Sequence, residues 1–483
     1  EMRISENQQA HISHVRIYGN DRLYEEVVRR ELRTKPGDLF SKDALMRSAR
    51  EIQSMGFFDP EKVNPDIQPN YEDGTVDINW PLEQKSNDQV EFSLGWGQTG
   101  VIGRISLKLN NFSMRNLFGK NKMHRGIMPI GDGEQLALSA QTNGSYYQSY
   151  SISYSSPWFG GRRPNAFNVG AYYSKQTDIN SSYYNSSWMN SMYNYYGGYG
   201  SYNNYINNYE SYLDDDKYVQ LFGLSVGWGK RLRWPDDYFQ LSVSLSYQRY
   251  MLRDWQYFII SNGNCNNINL GITLARTSTD NQMFPRRGSE FMASVTLTPP
   301  WSKFDNKDYS KLATDRTSAT YEQEQQEKYR WIEYHKWKFK ARTFTALTSG
   351  QKCFVLMSRV EFGILGSYNK DKKSPFENFY VGGDGMSGYS TGYAQETIGL
   401  RGYENGSLTP WSAPGYAYDR FTLELRYPFM LGNTTIYGLT FLEGGNAWYD
   451  TKKFNPFDMK RSAGVGVRIF LPMVGMMGID SAY

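Results

Sequence analysis

The sequence predicts an all-β transmembrane barrel with antiparallel strands, preceded by one small α+β domain of β-α-α-β-β order. From Gln89 onward, apolar residues alternate with polar or small residues in one segment after another. Aromatic residues make up 16% of the chain, which has 39 tyrosines. Membrane barrels show both features, because their strands turn alternate side chains to lipid and carry aromatic girdles at the two interfaces. Before residue 86 the pattern differs, since helical and strand periods alternate there.

The first domain is predicted to span residues 11–86, after a segment 1–10 interpreted as the tail of a preceding domain or a linker. Capping residues and turn signals set its expected boundaries. The predicted elements are a strand at 14–18, a helix from Asn20 or Asp21 to about residue 32, a helix capped by Ser41 and stopped by Gly56, and two strands at 62–68 and 75–83 joined by a hairpin at 72–74.

Residues 87–483 are predicted to form the barrel, with about fifteen segments of the length that a tilted membrane strand needs. Periplasmic turns of such barrels are short and extracellular loops are long. Short turns are predicted at 232–237, 349–352 and 430–433, and long extracellular loops at 177–216, 299–330 and 367–417. We name segment 367–417 loop six. The Tyr- and Asn-rich segment 177–216 is interpreted as a solvated loop, with a docking surface for a partner as the alternative.

Composition excludes several classes of protein. No segment approaches the ~18 consecutive apolar residues of a membrane-spanning helix, which excludes a helical membrane protein. The net charge of +4 is too small to indicate nucleic-acid binding. Two cysteines and four histidines, none at metal-ligand spacing, predict neither a disulfide framework nor a metal site. Glycine motifs in loop six lack the strand–turn–helix context of catalytic or nucleotide sites, so neither a catalytic residue nor a cofactor is expected.

Eight short motifs carry a resemblance to a known family. Those in the first domain lie at 15–20, 29–32, 37–40 and 56–58, and they resemble a POTRA domain in order and spacing. Those in the second part are Asn-Leu-Phe-Gly at 116–119, Phe-Tyr-Val-Gly-Gly at 379–383 with Leu-Arg-Gly-Tyr at 400–403, and Phe-Leu-Glu-Gly-Gly at 441–445. Together they resemble the BamA branch of the outer-membrane protein assembly superfamily, which also includes two-partner secretion transporters. The resemblance covers essentially the whole chain.

The resemblance implies sixteen strands, and the sequence ends within what we count as the fifteenth. Either the sequence is trimmed before the last strand, or the seam lacks its usual partner strand. It also implies that loop six folds back into the barrel and is locked there. A buried arginine needs carboxylates beside it, and a bidentate contact would supply the lock. Alternation places Glu424 opposite the apolar residues of its strand, hence inward, whereas Glu443 carries over from the family motif. The residues of the expected lock are Arg401, Gly402, Tyr403, Glu424 and Glu443. The alternative is that Arg401 and Glu424 are ordinary polar residues of a water-filled interior.

Strand templating is the mechanism that the family implies. The first barrel strand, 89–97, contains glycines, which weaken a strand. A seam that opens sideways there would expose an edge for an incoming client strand, which is β-augmentation. Ordinary glycine use at a barrel end is the alternative. The residues assigned to this lateral gate are Val90, Phe92, Leu94, Gly95, Trp96 and Gly97.

The leading hypothesis is therefore an insertase that folds and inserts β-barrel proteins into the bacterial outer membrane, with its POTRA domain in the periplasm. Its expected partners are unfolded outer-membrane β-barrel proteins, periplasmic and surface lipoproteins of an assembly complex, and the lipid bilayer. The alternative is a two-partner secretion transporter that exports a single client polypeptide. A passive porin ranks lower, because it needs neither a POTRA domain nor the loop-six signature. An outer-membrane enzyme ranks last for want of a site.

Overall fold

A computed structural model of the chain describes most of its residues. The residues outside the description are 1–8, 60–61, 86–87, 98–99, 119–128, 161–164, 180–212, 256–259, 282–283, 313–316, 384–394, 405, 411–412, 433 and 472–474, together with the side chains of strand residues 89, 91, 93–97, 100–102, 143, 395, 471 and 475–476. The chain divides into two compact units. The first comprises residues 1–143, 149–159 and 168–170, and the second comprises 144–148, 160–167 and 171–483.

The first unit begins with a three-stranded sheet and two helices. β1 (His11–Tyr18) pairs in parallel with the central strand β3 (Thr75–Pro81), and β2 (Asp66–Asn70) pairs with β3 in antiparallel fashion. The helices are α1 (Glu25–Arg29) and α2 (Lys42–Ser54). One apolar cluster joins the helices to the sheet. Its most deeply buried members are Val28, Ile52, Phe58, Ile78 and Trp80. The element order is the predicted β-α-α-β-β.

The second helix agrees with the sequence prediction. The Ser41 hydroxyl accepts the N–H of Ala44 at 3.4 Å, as an N-cap residue should. The predicted apolar side of α2 is buried, and its buried residues are Leu45, Ser48, Ala49 and Ile52. Gly56 has a φ of +74°, which suits the left-handed conformation at a helix end. The cap and the stop signal are therefore confirmed.

The first helix differs from the prediction, because α1 begins only after Tyr24 and has no side-chain cap. The sequence predicts a start at Asn20 or Asp21 and an end near residue 32. The N–H of Tyr24 instead donates to the carbonyl oxygen of Gly131 at 2.9 Å, and its backbone is extended with a ψ of 138°. A long-range hydrogen bond thus shortens the helix. The strand boundaries also shift, since β1 starts at residue 11 rather than 14 and β2 starts at residue 66 rather than 62.

The rest of the chain is dominated by one large sheet of 15 strands that follow one another in chain order. Neighbouring strands pair in antiparallel fashion from β4 to β6 in the first unit. They do so as well from β9 to β14, from β14 to β17 and from β17 to β20 in the second unit. Its strands are β4 (Gln89–Gly97), β5 (Gly100–Phe112), β6 (Glu134–Asn143), β7 (Tyr147–Ser156), β8 (Asn165–Ile179), β9 (Leu213–Arg231), β10 (Phe239–Arg253), β11 (Gly263–Thr277), β12 (Gly288–Leu297), β13 (His335–Ala346), β14 (Val355–Gly366), β17 (Ala417–Met430), β18 (Thr435–Trp448), β19 (Lys460–Leu471) and β20 (Gly475–Ala482). The remaining elements are α3 (Met114–Phe118), α4 (Tyr321–Tyr329), β15 (Asn378–Val381) and β16 (Gln395–Ile398).

Alternation gives the strands of the second unit two different faces. In β17, Leu423 and Leu425 are 49% and 38% exposed, whereas Thr422, Glu424 and Arg426 are buried. We call the face with exposed apolar side chains the outer face and the opposite one the inner face. Other exposed apolar residues on strands are Leu224, Val226, Trp228, Leu245, Leu270, Ile272, Trp337, Phe339, Ile364, Leu442, Val465 and Val467. Such a pattern is typical of strands that face lipid on one side.

The connections between strands differ in length as predicted. Those after β9, β13 and β17 are short turns. The connection after β12 is long and holds two 3₁₀ helices, Trp301–Lys303 and Tyr309–Lys311, besides α4, whereas the sequence predicts only a loop at 299–330. Most of segment 177–216 lies outside the described residues. In the described part of the chain, every helix is too short or too polar to cross a membrane.

Trp80→Ala is expected to destabilise the small α+β domain by about 3–5 kcal/mol, because the fully buried indole leaves a cavity in the apolar cluster. Hydrogen exchange of the β3 amides in the full chain measures this loss as faster exchange. Tyr71→Ala is the control, since Tyr71 is 91% exposed and its loss should leave exchange unchanged. Equal exchange in the Trp80 variant and the parent would contradict the prediction.

Candidate functional site

Loop six contains a small structured core of its own. β15 and β16 pair in parallel, and Gly383 and Leu400 form an antiparallel bridge just beyond them. Phe379 of β15 is fully buried, and its ring lies edge-on to Tyr418 of β17 with 4.7 Å between the centroids. The Phe-Tyr-Val-Gly-Gly motif is therefore the strand that fixes loop six to the inner face. Residues 384–394 of the loop lie outside the description.

Arg401 follows this core and bridges two carboxylates of the inner face. Its Nη2 atom donates to Glu424 Oε1 on β17 and to Glu443 Oε1 on β18, both at 2.7 Å. Its backbone N–H donates to Glu443 Oε2 at 2.9 Å. The guanidinium carbon also lies 3.6 Å from the centroid of the Phe441 ring, within the range of a cation–π contact. The expected bidentate pairing with one carboxylate is replaced by a bridge between two, because neighbouring strands each supply one.

Further cations share the same two carboxylates. Arg426 donates to Glu424 Oε2 from its Nε atom at 2.8 Å. Glu443 Oε1 also accepts from Arg420 Nη2 at 3.3 Å and from the Thr422 hydroxyl at 3.1 Å. A buried carboxylate is stable only with such compensation. Each carboxylate of the site therefore keeps a second partner besides Arg401.

The neighbouring carboxylate of Glu361 is close to more positive charges than its single negative charge can neutralise. Glu361 lies 3.1 Å from Lys340 and 3.7 Å from Arg359 through Oε1, and 3.8 Å from Arg420 through Oε2. Arg359 and Arg420 are both largely buried, and their Nε atoms lack a hydrogen-bond partner among the described residues. The inner face beside loop six thus carries an excess of positive charge. Arg359 and Arg420 also line a cavity of about 800 Å³ next to Arg401.

Gly402 and Tyr403 complete the signature by lying against β19 and β20. Gly402 has a φ of +87°, and a Cβ atom there would lie 2.8 Å from the Cβ of Ser462, so a side chain would be strained and crowded. The Tyr403 hydroxyl donates to the carbonyl oxygen of Arg461 at 2.9 Å. Gly445 of the Phe-Leu-Glu-Gly-Gly motif has a similar role, since a Cβ there would lie 3.4 Å from Leu400 Cδ1 and 2.6 Å from the Asp419 carbonyl oxygen.

The structure brings together all five residues of the expected lock. Their role as a lock stays a prediction. The sequence analysis misses the other charged residues around Arg401, among them Arg359, Arg420, Arg426, Arg468 and Asp480. Alternation along β17 points to two of them, because Arg420 and Arg426 share the parity of Glu424. Among the described residues, three or more His, Cys, Asp or Glu side chains nowhere gather in a way that could hold a metal ion.

The proposed lateral gate is described mainly by its backbone. β4 pairs with β5 from Gln89 to Gly97 and stands at the end of the strand order of the described sheet. Val90 and Phe92 are 72% and 65% exposed. Gly95 and Gly97 pair with residues 102 and 100. The side chains of Leu94 and Trp96 lie outside the description.

The Asn-Leu-Phe-Gly motif belongs to a different part of the molecule. Asn116 in α3 is buried, accepts a hydrogen bond from the Tyr24 hydroxyl at 2.9 Å and donates to the carbonyl oxygen of Ile130 at 2.7 Å. Asp132 adds an ion pair with Arg115 at 2.7 Å. Within the first unit, this motif therefore links the small α+β domain to the long connection between β5 and β6. Gly119, its last residue, lies outside the described residues.

Comparison with known proteins places these features in a family. A model of the Omp85 superfamily domain matches residues 130–483. A POTRA model, described as a surface antigen variable number repeat, matches residues 10–83. The outer membrane protein assembly factor BamA of Neisseria meningitidis serogroup B is 23% identical over 449 residues, which are 88% of this chain and 43% of that protein. The chain spans less than half the length of the curated relatives it matches.

Two solved structures share the fold. The crystal structure of BamA from Haemophilus ducreyi lacking POTRA domains 1–3 has a TM-score of 0.52 and 16% sequence identity, and the likeness covers 99% of this chain and 81% of that chain. CdiB from Escherichia coli has a TM-score of 0.52 and 12% identity, with 98% and 76% covered. At such identities the likeness concerns the fold alone. The family model, however, covers most of the sequence, and a POTRA domain precedes it. The chain therefore belongs to the Omp85 superfamily of outer-membrane β-barrel proteins.

Proposed function

We propose that this chain is the membrane part of an insertase that folds β-barrel proteins and inserts them into the outer membrane. In this proposal its POTRA domain lies in the periplasm and receives unfolded clients. Periplasmic and surface lipoproteins complete the assembly complex. The protein works through strand edges and conformational change, and not as an enzyme. The contact of Arg401 with Glu424 and Glu443, in a chain where a POTRA domain precedes the barrel, supports an insertase or a transporter. The observation that carries the insertase proposal is the alignment of 88% of this chain with a relative named an outer membrane protein assembly factor.

The contacts of loop six support a barrel interior that the loop obstructs, and not a permanently open channel. Arg401 and the β15 strand occupy the inner face, where buried contacts on β17 and β18 hold them. A porin needs an unobstructed aqueous channel. The same contacts agree with a machine whose interior changes state when loop six moves. They support an insertase and a transporter equally.

Sequence relatives favour the insertase over the transporter. The meningococcal relative that aligns with 88% of this chain is named an outer membrane protein assembly factor. The likeness to CdiB rests on the fold at 12% identity, and it equals the likeness to BamA in TM-score. A two-partner secretion transporter that exports a single client remains the second candidate, because loop six and a POTRA domain serve both functions.

The first barrel strand, β4, can serve as a template for a client strand because it is an edge strand. β4 ends the strand order of the described sheet, and an edge strand presents unpaired N–H and C=O groups. A client strand that adds to this edge gains main-chain hydrogen bonds regardless of its side chains, which suits many unrelated clients. Its outward residues Val90 and Phe92 are exposed and apolar, as a strand in contact with lipid requires.

Depletion of this protein in its own cells is expected to lower the levels of many unrelated outer-membrane barrel proteins. Quantitative proteomics of the outer membrane measures the loss, and re-expression of the parent chain is the control. A general assembly factor limits every client, so the loss should be broad and accompanied by envelope stress. Loss of one secreted protein with the barrels intact would establish the transporter instead.

Cysteine crosslinking tests the templating edge directly. We expect Val90→Cys on β4 to form disulfides with a cysteine in the terminal strand of a client during its assembly. Leu245→Cys is the matched control, because Leu245 is 55% exposed on β10, which pairs with strands on both sides. Lys340→Cys places a cysteine on the inner face, where it would crosslink to a client that passes through the interior. Crosslinks at residue 340 without crosslinks at residue 90 would favour export through the interior and refute templating.

Arg401→Ala is expected to reduce client assembly and loosen loop six without unfolding the barrel. The barrel survives because Arg426 still pairs with Glu424, and Arg420 with Glu443. Chymotrypsin cleavage after Tyr403 measures loop release, and heat-modifiable gel mobility measures the fold. Arg342→Ala is the control, since that arginine pairs with Glu290 and not with a carboxylate that binds Arg401. Unchanged assembly together with unchanged cleavage would refute the lock.

A further inference from the structure

Asp480 on β20 is a third carboxylate at the loop-six site. Both of its oxygens bind Arg468 of β19, with Nη1–Oδ1 and Nη2–Oδ2 distances of 2.7 Å. Its Oδ2 atom also lies 3.8 Å from Nη1 of Arg401. Arg401 therefore lies within ion-pair distance of carboxylates on three strands, β17, β18 and β20. Bidentate pairs of this kind are among the stronger and more directional ion pairs in proteins.

Two glycines make room for this ion pair. In the β19–β20 register, Asp480 is opposite Gly466 and Arg468 is opposite Gly478, so the two charged residues are diagonal neighbours. A Cβ atom at Gly466 would lie 2.0 Å from Asp480 Oδ1, and one at Gly478 would lie 2.9 Å from Arg468 Nη1. The pair therefore lies flat over the glycine backbone. That position is possible only while the two strands keep this register.

The backbone of loop six rests on the same two strands. A Cβ atom at Gly402 would lie 2.8 Å from Ser462 Cβ on β19 and 3.6 Å from Ala482 Cβ on β20. Next to this point, the N–H and C=O groups of Ala463 and Tyr483 bond each other at 2.8 and 2.9 Å. The paired end of β19 and β20 thus forms the surface against which Gly402 lies.

We propose that Asp480 is a positioning residue that couples the position of loop six on the inner face to the pairing of β20 with β19. This inference rests on the proposed lock role of Arg401. When β20 separates from β19, Arg401 loses its third carboxylate, and Gly402 loses its contact with β20. Coupling between two sites is reciprocal, so release of loop six in turn weakens the pairing of β20. Strand separation at this end of the sheet and movement of loop six are then one event.

Asp480→Asn tests the coupling on the purified full chain, without any client. We expect chymotrypsin cleavage after Tyr403 to become about fivefold faster or more, the lower end of typical coupling between sites. Cleavage after Phe457 is the internal reference, because Phe457 is 83% exposed. Glu290→Gln is the matched control, since it also removes an inner-face carboxylate from a cross-strand pair, but that pair is with Arg342 and not with Arg401 or Arg468. An unchanged rate in Asp480→Asn, or an equal increase in both variants, overturns the proposal.

A disulfide that fastens β20 to β19 provides the second test. Val467 and Ile479 are directly opposite each other and are 41% and 77% exposed, so Val467→Cys with Ile479→Cys links the strands on the outer face. Cys265 and Cys353 are replaced by Ala in all variants. We expect the oxidised form to slow cleavage after Tyr403 relative to the reduced form, and to restore protection in Asp480→Asn. Equal rates in both redox forms overturn the coupling. Because cleavage needs no client, this failure is distinct from a failure of the insertase function.

Discussion

A strand that faces lipid must be apolar at every second residue, and the rest of this structure follows from that constraint. Charged residues of the large sheet can then occupy only the other face, where they are partly removed from water. β17 shows the division most clearly, because Leu423 and Leu425 point outward while Glu424 and Arg426 are buried inward. Buried charges are costly unless they are paired. The inner face of the second unit therefore holds a connected set of ion pairs rather than isolated charges.

Loop six is part of this set. Two apolar clusters lie on the second unit, one with Met357, Leu439 and Phe441 and one with Leu365 and Tyr418. Along β14, the ion-paired residues Arg359 and Glu361 lie between Met357 of one cluster and Leu365 of the other. Arg401 enters there with its charge compensated, and Phe379 enters with its ring buried. Ion pairs and aromatic packing on the inner face of the strands therefore hold the loop.

The sequence carries the strand pattern and the main site residues, and local physics explains why. Alternation predicts the faces of β17, and it places Glu424 inward before any contact is known. The family motifs supply Arg401 and Glu443. Contacts that depend on register are beyond such reasoning, because the pairing of Arg468 with Asp480 follows from the alignment of two strands. The start of α1 is missed for a similar reason, since a hydrogen bond from Tyr24 to the distant Gly131 decides it.

The crowding of cations around Glu361 gives the inner face a distinct electrical character. One carboxylate faces Lys340, Arg359 and Arg420, so the wall next to the cavity is not locally neutral. Charges lining a concave, poorly polarisable surface create potentials that reach beyond their contacts. The potential next to Glu361 therefore favours anionic groups over cationic ones in the adjoining cavity.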